Sequence, residues 1–286
     1  MEEKKCVKSS KTNITKGYFK VALLIFIFAA CYVFDLFLLS LITKGIFWKQ
    51  FTSNSLTKSM SLVYIFLIYV SLIAVSFIFF KKTSGNFYFL KGKTGFLEGL
   101  VLGTVIFLFF VILNLIPGFF YKDFYNMADN SNIIVFLLKN LLACLAISFG
   151  EEFIFRGIIL DTFEKHAGKI HGIIVMSIMF ALAHMFGKGD FLYKSVYFIN
   201  LFLLSIFLST GNLIFKNIWF SVSAHFALIY LFFIRNSFGF MKISPEYSNI
   251  FAGLSNNPMA GLYASLILFS VTYLLYRGRY EREKIV

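Results

Sequence analysis

Charged residues, prolines and cysteines are all scarce in this chain of 286 residues. Only 14% of the residues are Asp, Glu, Lys or Arg, three are proline and three are cysteine. By contrast, 59% are hydrophobic, and the mean hydropathy is +0.79. A soluble domain of this length could not bury so many apolar side chains, so the composition predicts a polytopic membrane protein. The cysteines have neither disulfide nor metal-ligand spacing and are interpreted as packing residues.

Long apolar runs make up most of the sequence. A membrane-spanning helix needs about 20 apolar residues, and the 40 phenylalanines lie mostly in runs that proline leaves uninterrupted. The predicted fold is therefore all-α, a polytopic transmembrane helical bundle of about eight helices. The predicted spans are residues 18–42, 60–80, 97–120, 133–160, 170–187, 191–209, 213–234 and 259–276.

Basic residues give the chain a net charge of +13, but they lie in loops and tails between the apolar runs. This distribution favours contact with the lipid bilayer and its anionic headgroups, and it argues against nucleic acid as a partner. A single membrane domain, 18–276, is predicted between basic tails at 1–17 and 277–286. By the positive-inside rule both tails are expected in the cytoplasm. The segment 83–96 fits either an interfacial segment or a packed loop.

Three short motifs place ionisable side chains inside otherwise apolar sequence. They are GEEFIFRG at 150–157, FALAH at 180–184 and SAHF at 223–226. A charge at the centre of a bilayer costs roughly 2.5–3.5 kcal/mol on insertion scales, so such residues are usually functional or paired. Two glutamates, one arginine and two histidines in this setting form a candidate active site.

The first motif predicts different roles for its two glutamates. On a helix, Glu152 and Arg156 are i,i+4 neighbours in the order that favours an ion pair. Glu151 lies about 100° further round the helix and need not share that arginine. One carboxylate can thus be held ionised while the other is available as a base that activates water. The alternative is a helix end among the headgroups, which the apolar residues on both sides of the motif disfavour.

Each histidine by itself would also fit a structural role, but a hairpin would change that interpretation. If helices 133–164 and 170–187 turn near Gly168, Glu152 lies 16 residues before the turn and His184 lies 16 after it. The two side chains would then face each other, and His225 could join them from the seventh span. Carboxylate and imidazole suit a divalent metal such as zinc, or they could hold a water and an oxyanion without metal.

The three motifs resemble those of the CPBP (CAAX protease and bacteriocin-processing) intramembrane protease family, also called Abi. GEEFIFRG resembles the family's Glu-Glu-x-x-x-Arg motif, FALAH resembles its Phe-x-x-x-His motif, and His225 falls where a third motif supplies another histidine. The resemblance covers about 130–235. It implies a membrane endopeptidase that hydrolyses a peptide bond in a membrane-associated peptide or protein.

The resemblance also implies a role for each site residue. Glu151 and Glu152 would activate water, and Arg156 would orient the acidic pair. His184 and His225 would bind a metal or stabilise the oxyanion. The metal set is then Glu152, His184 and His225, and a metal-free glutamate mechanism is the alternative.

One residue departs from the family pattern. The family often has asparagine one helical turn after the third-motif histidine, where this chain has Ile229. Asn200, Asn212 or Asn217 could supply the missing amide. A catalytically impaired scaffold or immunity protein that keeps the protease fold is therefore the second hypothesis. A transporter, the third, would require repeated halves and broken helices near the midplane, and neither is visible in the sequence.

Residue usage bears on the source and the substrate. Abundant Phe, Lys and Asn suggest an AT-rich bacterial genome, in which prenylated CAAX proteins are not expected. A multi-pass protein of a bacterial cell membrane is thus predicted, acting in peptide maturation or in self-immunity to a bacteriocin. The sequence leaves the oligomeric state, the substrate and the membrane face of the site open.

Overall fold

A computed structural model gives the fold. It describes residues 2–52, 58–83, 88–92, 94–115, 120–121, 133–185, 189–238, 242–243 and 250–285. Nearly all of these residues are helical, which confirms the predicted all-α architecture. The α-helices are α1 (Glu2–Ile42), α2 (Ile46–Thr52), α3 (Lys58–Thr83), α4 (Phe96–Leu115), α5 (Ile133–Glu152), α6 (Leu160–Ala167), α7 (Lys169–Ala183), α8 (Phe191–Phe215), α9 (Trp219–Phe238) and α10 (Leu262–Ile285).

Each predicted span falls mainly on one helix or one continuous helical run, but the predicted span 213–234 begins in the last turn of α8 and crosses the non-helical residues 216–218 before α9. Among the described residues, four helical runs are long and apolar enough to cross a membrane. They are Ile14–Ile42, Phe96–Leu115, Ile133–Ala167 and Phe191–Phe215. Large apolar side chains lie exposed on these helices, as at Phe26 and Phe191, which are 71% and 88% exposed. Apolar surface of this extent suits lipid as the surrounding solvent.

Several boundaries differ from the predicted ones. Helix α1 begins at Glu2 and so includes most of the segment interpreted as a tail, while α7 ends at Ala183, short of the predicted 187. Positions 116–120 and 186–187, predicted as helix ends, lie outside the described residues apart from Phe120, which pairs with Ile243 in a two-residue antiparallel ladder.

The described part of 83–96 is a packed loop rather than an interfacial helix. Residues Tyr88–Leu90 form one 3₁₀ turn, and the side chain of Phe89 is buried. The carbonyl of Phe89 accepts a hydrogen bond from Ile218 N at 3.0 Å, and Trp219 Nε1 donates to Leu90 O at 3.2 Å. These bonds hold the loop against the start of α9. Positions 84–87 and 93 lie outside the described residues.

The chain divides into two compact units. The first comprises Met1–Phe87 and Phe149–Gly172, and the second comprises Tyr88–Ser148 and Ile173–Val286. In the first unit, α1 packs against α3 and α6. A buried polar contact joins α1 to α3 there, because Ser71 Oγ donates to Asp35 Oδ2 at 2.6 Å.

A tight turn at Gly168 joins α6 to α7. Gly168 has φ +87°, a conformation that glycine adopts without strain. Gly172, four residues after the turn, lies so close to α6 that a methyl group on it would be 3.2 Å from the backbone nitrogen of Glu164. Glu164 lies four residues before Gly168 and Gly172 lies four residues after it. In the helical turns next to Gly168, residues at equal distance from the glycine are therefore neighbours, as the predicted hairpin requires.

In the second unit, α4 packs along α9 through two glycines. A side-chain carbon on Gly99 would collide with Phe220 O, and one on Gly103 would lie 2.6 Å from Ala224 O. Glycines four residues apart let two membrane helices approach closely. The segment of α9 that precedes His225 is therefore held directly against the α4 backbone.

Candidate functional site

The first motif coincides with a change of helix type in the first unit. Helix α5 ends at Glu152, and residues Phe153–Ile159 form a π-helix before α6 begins. Leu160 N donates to Phe155 O, a bond across five residues that gives a wider turn than the α-helix has. Short π segments often occur at functional sites. One uninterrupted α-helix was predicted here, and the π segment corrects that prediction.

Glu152 and Arg156 form a buried ion pair. Arg156 Nη1 donates to Glu152 Oε1 at 3.0 Å, as the i,i+4 spacing predicts. Glu152 is 0% exposed and Arg156 is 3% exposed. A buried carboxylate requires such a counter-charge, because removing an ion from water costs several kcal/mol. The pair therefore gives Glu152 a fixed position.

Glu151 has a different environment. Its side chain is half-buried, and its Oε1 accepts a hydrogen bond of 2.6 Å from the hydroxyl of Tyr69 on α3. The two adjacent glutamates thus have separate hydrogen-bonding partners, one on their own helix and one on a neighbouring helix. Sequence reasoning missed Tyr69, since 82 residues separate it from Glu151. We call Glu151, Glu152, Arg156 and Tyr69 the glutamate cluster.

The two motif histidines meet around one phenylalanine in the second unit. His184 follows the last residue of α7, and its Nδ1 lies 2.8 Å from Phe180 O. The Phe180 ring centroid is 4.6 Å from that of His184 and 6.1 Å from that of His225, which is buried on α9. Phe180 itself is buried, so it holds both imidazoles in place.

A cavity of about 660 Å³ adjoins the two histidines. Helices α7, α8 and α9 and the segment 255–259 form its walls, and most of the side chains are apolar. Phe232 belongs to this lining and packs against Phe107 of α4, with ring centroids 5.2 Å apart. We call this space the histidine cavity.

Ile229 lies on the wall of the histidine cavity, one turn after His225. Two of the asparagines suggested as substitutes have structural roles. Asn200 donates to Met259 O and Gly261 O at 2.8 and 2.9 Å, and Asn217 bonds to Thr94, Phe215 and Trp219. Asn212 is buried on α8 and does not belong to the cavity lining.

Two other asparagines do line the cavity. Asn236 lies on α9 two turns beyond Ile229, and Asn257 lies on the segment 255–259. The side chain of Asn257 donates to the hydroxyl of Tyr193 at 2.6 Å. No sequence pattern marks either residue, because both lie outside the three motifs.

The two histidines outside the motifs lie near helix ends. His166 Nδ1 lies 2.7 Å from Thr162 O in α6, and His171 Nε2 lies 2.8 Å from the Tyr18 hydroxyl. Asp35 is a further intramembrane acid, buried within the span Ile14–Ile42, and no motif marks it.

Within the described part of the chain, no group of three or more His, Cys, Asp or Glu side chains is placed to hold a metal ion. Glu152 belongs to the first unit, whereas His184 and His225 belong to the second. Their meeting across the hairpin, and the metal set built on it, therefore stay predictions.

One family model matches the chain, over residues 133–231, and its description is type II CAAX prenyl endopeptidase Rce1-like. The matched range runs from the start of α5 into α9 and includes all five motif residues predicted to form the site. No curated protein and no solved structure shows a significant match. Residues 133–231 thus match the Rce1-like CAAX-protease family model, in agreement with the family that the motifs predicted.

Proposed function

We propose that this protein is an intramembrane endopeptidase in which Glu151 activates the water that cleaves a peptide bond. The contrast between the two glutamates is the observation that carries the proposal. Glu152 is fully buried and ion-paired with Arg156, whereas Glu151 is half-buried and hydrogen-bonded to Tyr69. A general base needs a fixed orientation, and the hydrogen bond from Tyr69 gives Glu151 one.

In the proposed reaction, the Glu151 carboxylate accepts a proton from water as the water oxygen attacks the peptide carbonyl carbon. The carbonyl becomes a tetrahedral oxyanion, which the imidazole of His225 stabilises by donating a hydrogen bond. His184 Nδ1 lies 2.8 Å from the carbonyl oxygen of Phe180, which only accepts, so His184 donates to the oxyanion from Nε2 when its ring carries both protons. The same carboxyl group then delivers its proton to the departing amine nitrogen. The bond between that nitrogen and the carbonyl carbon breaks, leaving a free acid and a free amine. Arg156 acts indirectly, by fixing Glu152 beside the base.

A divalent metal such as zinc is the other version of this mechanism. Two imidazoles on one cavity are suitable ligands for zinc, with Glu152 as the proposed third. When bound, such an ion would polarise the peptide carbonyl and make its water more acidic. In this version Glu151 still holds the water and its proton, so both versions assign it the same role.

The substrate is proposed to be a membrane-associated peptide or protein. The histidine cavity is lined mainly by apolar side chains, with asparagine side chains on its walls. Such a lining suits an extended peptide with bulky apolar side chains, whose backbone amides would bond to the asparagines. Maturation of a secreted peptide or self-immunity to a bacteriocin, in a bacterial cell membrane, is the role we propose.

The second candidate is an inactive scaffold or immunity protein. Ile229 favours it, because an aliphatic side chain stands on the cavity wall where the family often has an amide. The buried Glu152–Arg156 pair disfavours it, since a protein that performs no chemistry would retain an intramembrane ion pair at a cost.

Comparative peptidomics of membranes from cells that express wild-type protein or Glu151→Gln tests the proposal. We expect at least one peptide to be released by the wild type and not by the variant, at equal protein abundance. Glu164→Gln is the matched control, because Glu164 is exposed on α6 in the same unit. Identical peptide sets in wild type and Glu151→Gln would favour the scaffold.

A further inference from the structure

The ring of Tyr69 rests on the backbone of α5 at Gly150. A methyl group at position 150 would lie 2.8 Å from Cδ1 and 3.4 Å from Cε1 of Tyr69. Ordinary carbon contacts are about 3.5–4.0 Å, so an alanine at this position would displace the ring. Glycine inside a helix costs about 1 kcal/mol relative to alanine. The close approach of Tyr69 is the physical reason for a glycine in this helical position.

The same ring carries the hydroxyl that bonds to Glu151. The distance from the Tyr69 hydroxyl to Glu151 Oε1 is 2.6 Å, a short hydrogen bond typical of a charged acceptor. Gly150 and Glu151 are consecutive, so one residue receives the ring and the next receives its polar end. Helix α3, which carries Tyr69, also packs against the π segment Phe153–Ile159. This packing fixes α3 relative to the motif.

We propose that Tyr69 is a positioning residue, whose hydroxyl orients the Glu151 carboxylate and whose ring is seated by Gly150. The inference rests on the function proposed above, because it assigns Tyr69 a use only if Glu151 is the base. The side chain of a glutamate such as Glu151 has several rotamers. The hydrogen bond from α3 selects one of them. The first glycine of the motif then has a function of its own, which is to admit this tyrosine.

The contact itself is tested without any substrate. Purified full-length protein in lipid bicelles is examined by infrared spectroscopy, and the carboxylate band of Glu151 is assigned by its loss in Glu151→Gln. In Tyr69→Phe we expect that band to shift, since the ring remains and only the donor is lost. Tyr18→Phe is the matched control, because it removes a hydroxyl bonded to His171 at 2.8 Å in the same unit. An unchanged Glu151 band in Tyr69→Phe would overturn the proposal.

The use of the contact is tested by kinetics on the peptide identified in the membrane comparison, made as a fluorescence-quenched probe. Loss of a hydrogen bond to a charged group, or a small misplacement of the base, corresponds to a fall in kcat of about 10- to 100-fold. We expect this fall in both Tyr69→Phe and Gly150→Ala, with KM changed less than about twofold, because neither group is expected to touch the peptide. The double variant Gly150→Ala/Tyr69→Phe should have a kcat no lower than that of the slower single variant, because both substitutions break the same contact.

A merely structural role predicts a different result. Both substitutions would then lower the folded fraction, in additive steps, while kcat per folded molecule stayed at the wild-type value. Gly17→Ala is the control for a crowded glycine, because a methyl group there would lie 2.8 Å from His166 Cβ. Wild-type kcat in Tyr69→Phe together with an inactive Glu151→Gln would overturn the positioning role alone. Full activity in Glu151→Gln would overturn the proposed function instead.

Discussion

Replacing Arg156 with alanine is expected to destabilise the protein severely. The guanidinium is 3% exposed, the Glu152 carboxylate is 0% exposed, and their closest atoms are 3.0 Å apart. The substitution removes the counter-charge and leaves an ionised carboxylate in an apolar interior. Breaking a buried pair in this way costs about 3–5 kcal/mol. The expected loss is thus a large share of the roughly 5–15 kcal/mol that stabilises a typical native protein.

Equilibrium unfolding of the purified variants in mixed micelles measures this loss. The matched control is Lys165→Ala, which breaks another i,i+4 pair in the same helical run, between Lys165 Nζ and Asp161 Oδ2 at 2.7 Å. Lys165 is 40% exposed, so that pair is expected to contribute no more than about 1 kcal/mol. The double variant Glu152→Gln/Arg156→Met removes both charges and should recover most of the stability.

Two results would refute the reasoning. A loss in Arg156→Ala no greater than in Lys165→Ala would mean that the ion pair is solvated in the membrane. A double variant as unstable as Arg156→Ala would mean that lost packing, rather than the buried charge, causes the effect.

Three further predictions concern the second unit. Gly103→Ala should lower the yield of folded protein, since the added carbon would lie 2.6 Å from Ala224 O, whereas Gly278→Ala, with open space around it, should have no effect in the same detergent-extraction assay. Ile229→Asn should raise turnover of the quenched peptide if the missing amide limits activity; lower turnover would show that the aliphatic wall is required. If the metal version of the mechanism holds, metal analysis should find about one equivalent of metal in the purified wild type and much less in His225→Ala. Equal trace amounts of metal in both proteins would exclude that version.

The fold was predictable because apolar run length determines where a chain can cross a membrane. The run from 133 to 160 became one continuous helical stretch, and the pairing of Glu152 with Arg156 followed from helical spacing alone. These features depend on residues near one another in sequence, so local patterns suffice to predict them.

The remaining features depend on tertiary contacts or on small energy differences between helix types. The bond from Tyr69 to Glu151 joins two helices, and no motif marks the tyrosine. The π segment Phe153–Ile159 has the same apolar composition as an α-helix, so its sequence does not distinguish the two. No motif marks Asp35, because it is a single acid in a long apolar run. The hydrogen bond that it accepts from Ser71 on another helix explains how it is stabilised there, and this bond is a tertiary contact.

The π segment acts as a phase shift in an otherwise continuous helical run. One extra residue per turn rotates everything beyond it by about 100° relative to an uninterrupted α-helix. The direction in which Glu151 and Glu152 point is thereby uncoupled from the direction in which α6 presents Phe163 to Tyr18 of α1, whose ring centroids are 5.1 Å apart. Deleting one residue within 153–159 would restore the α-helical phase, and the run could then no longer make both sets of contacts. Either the glutamates would leave Tyr69 or α6 would leave α1.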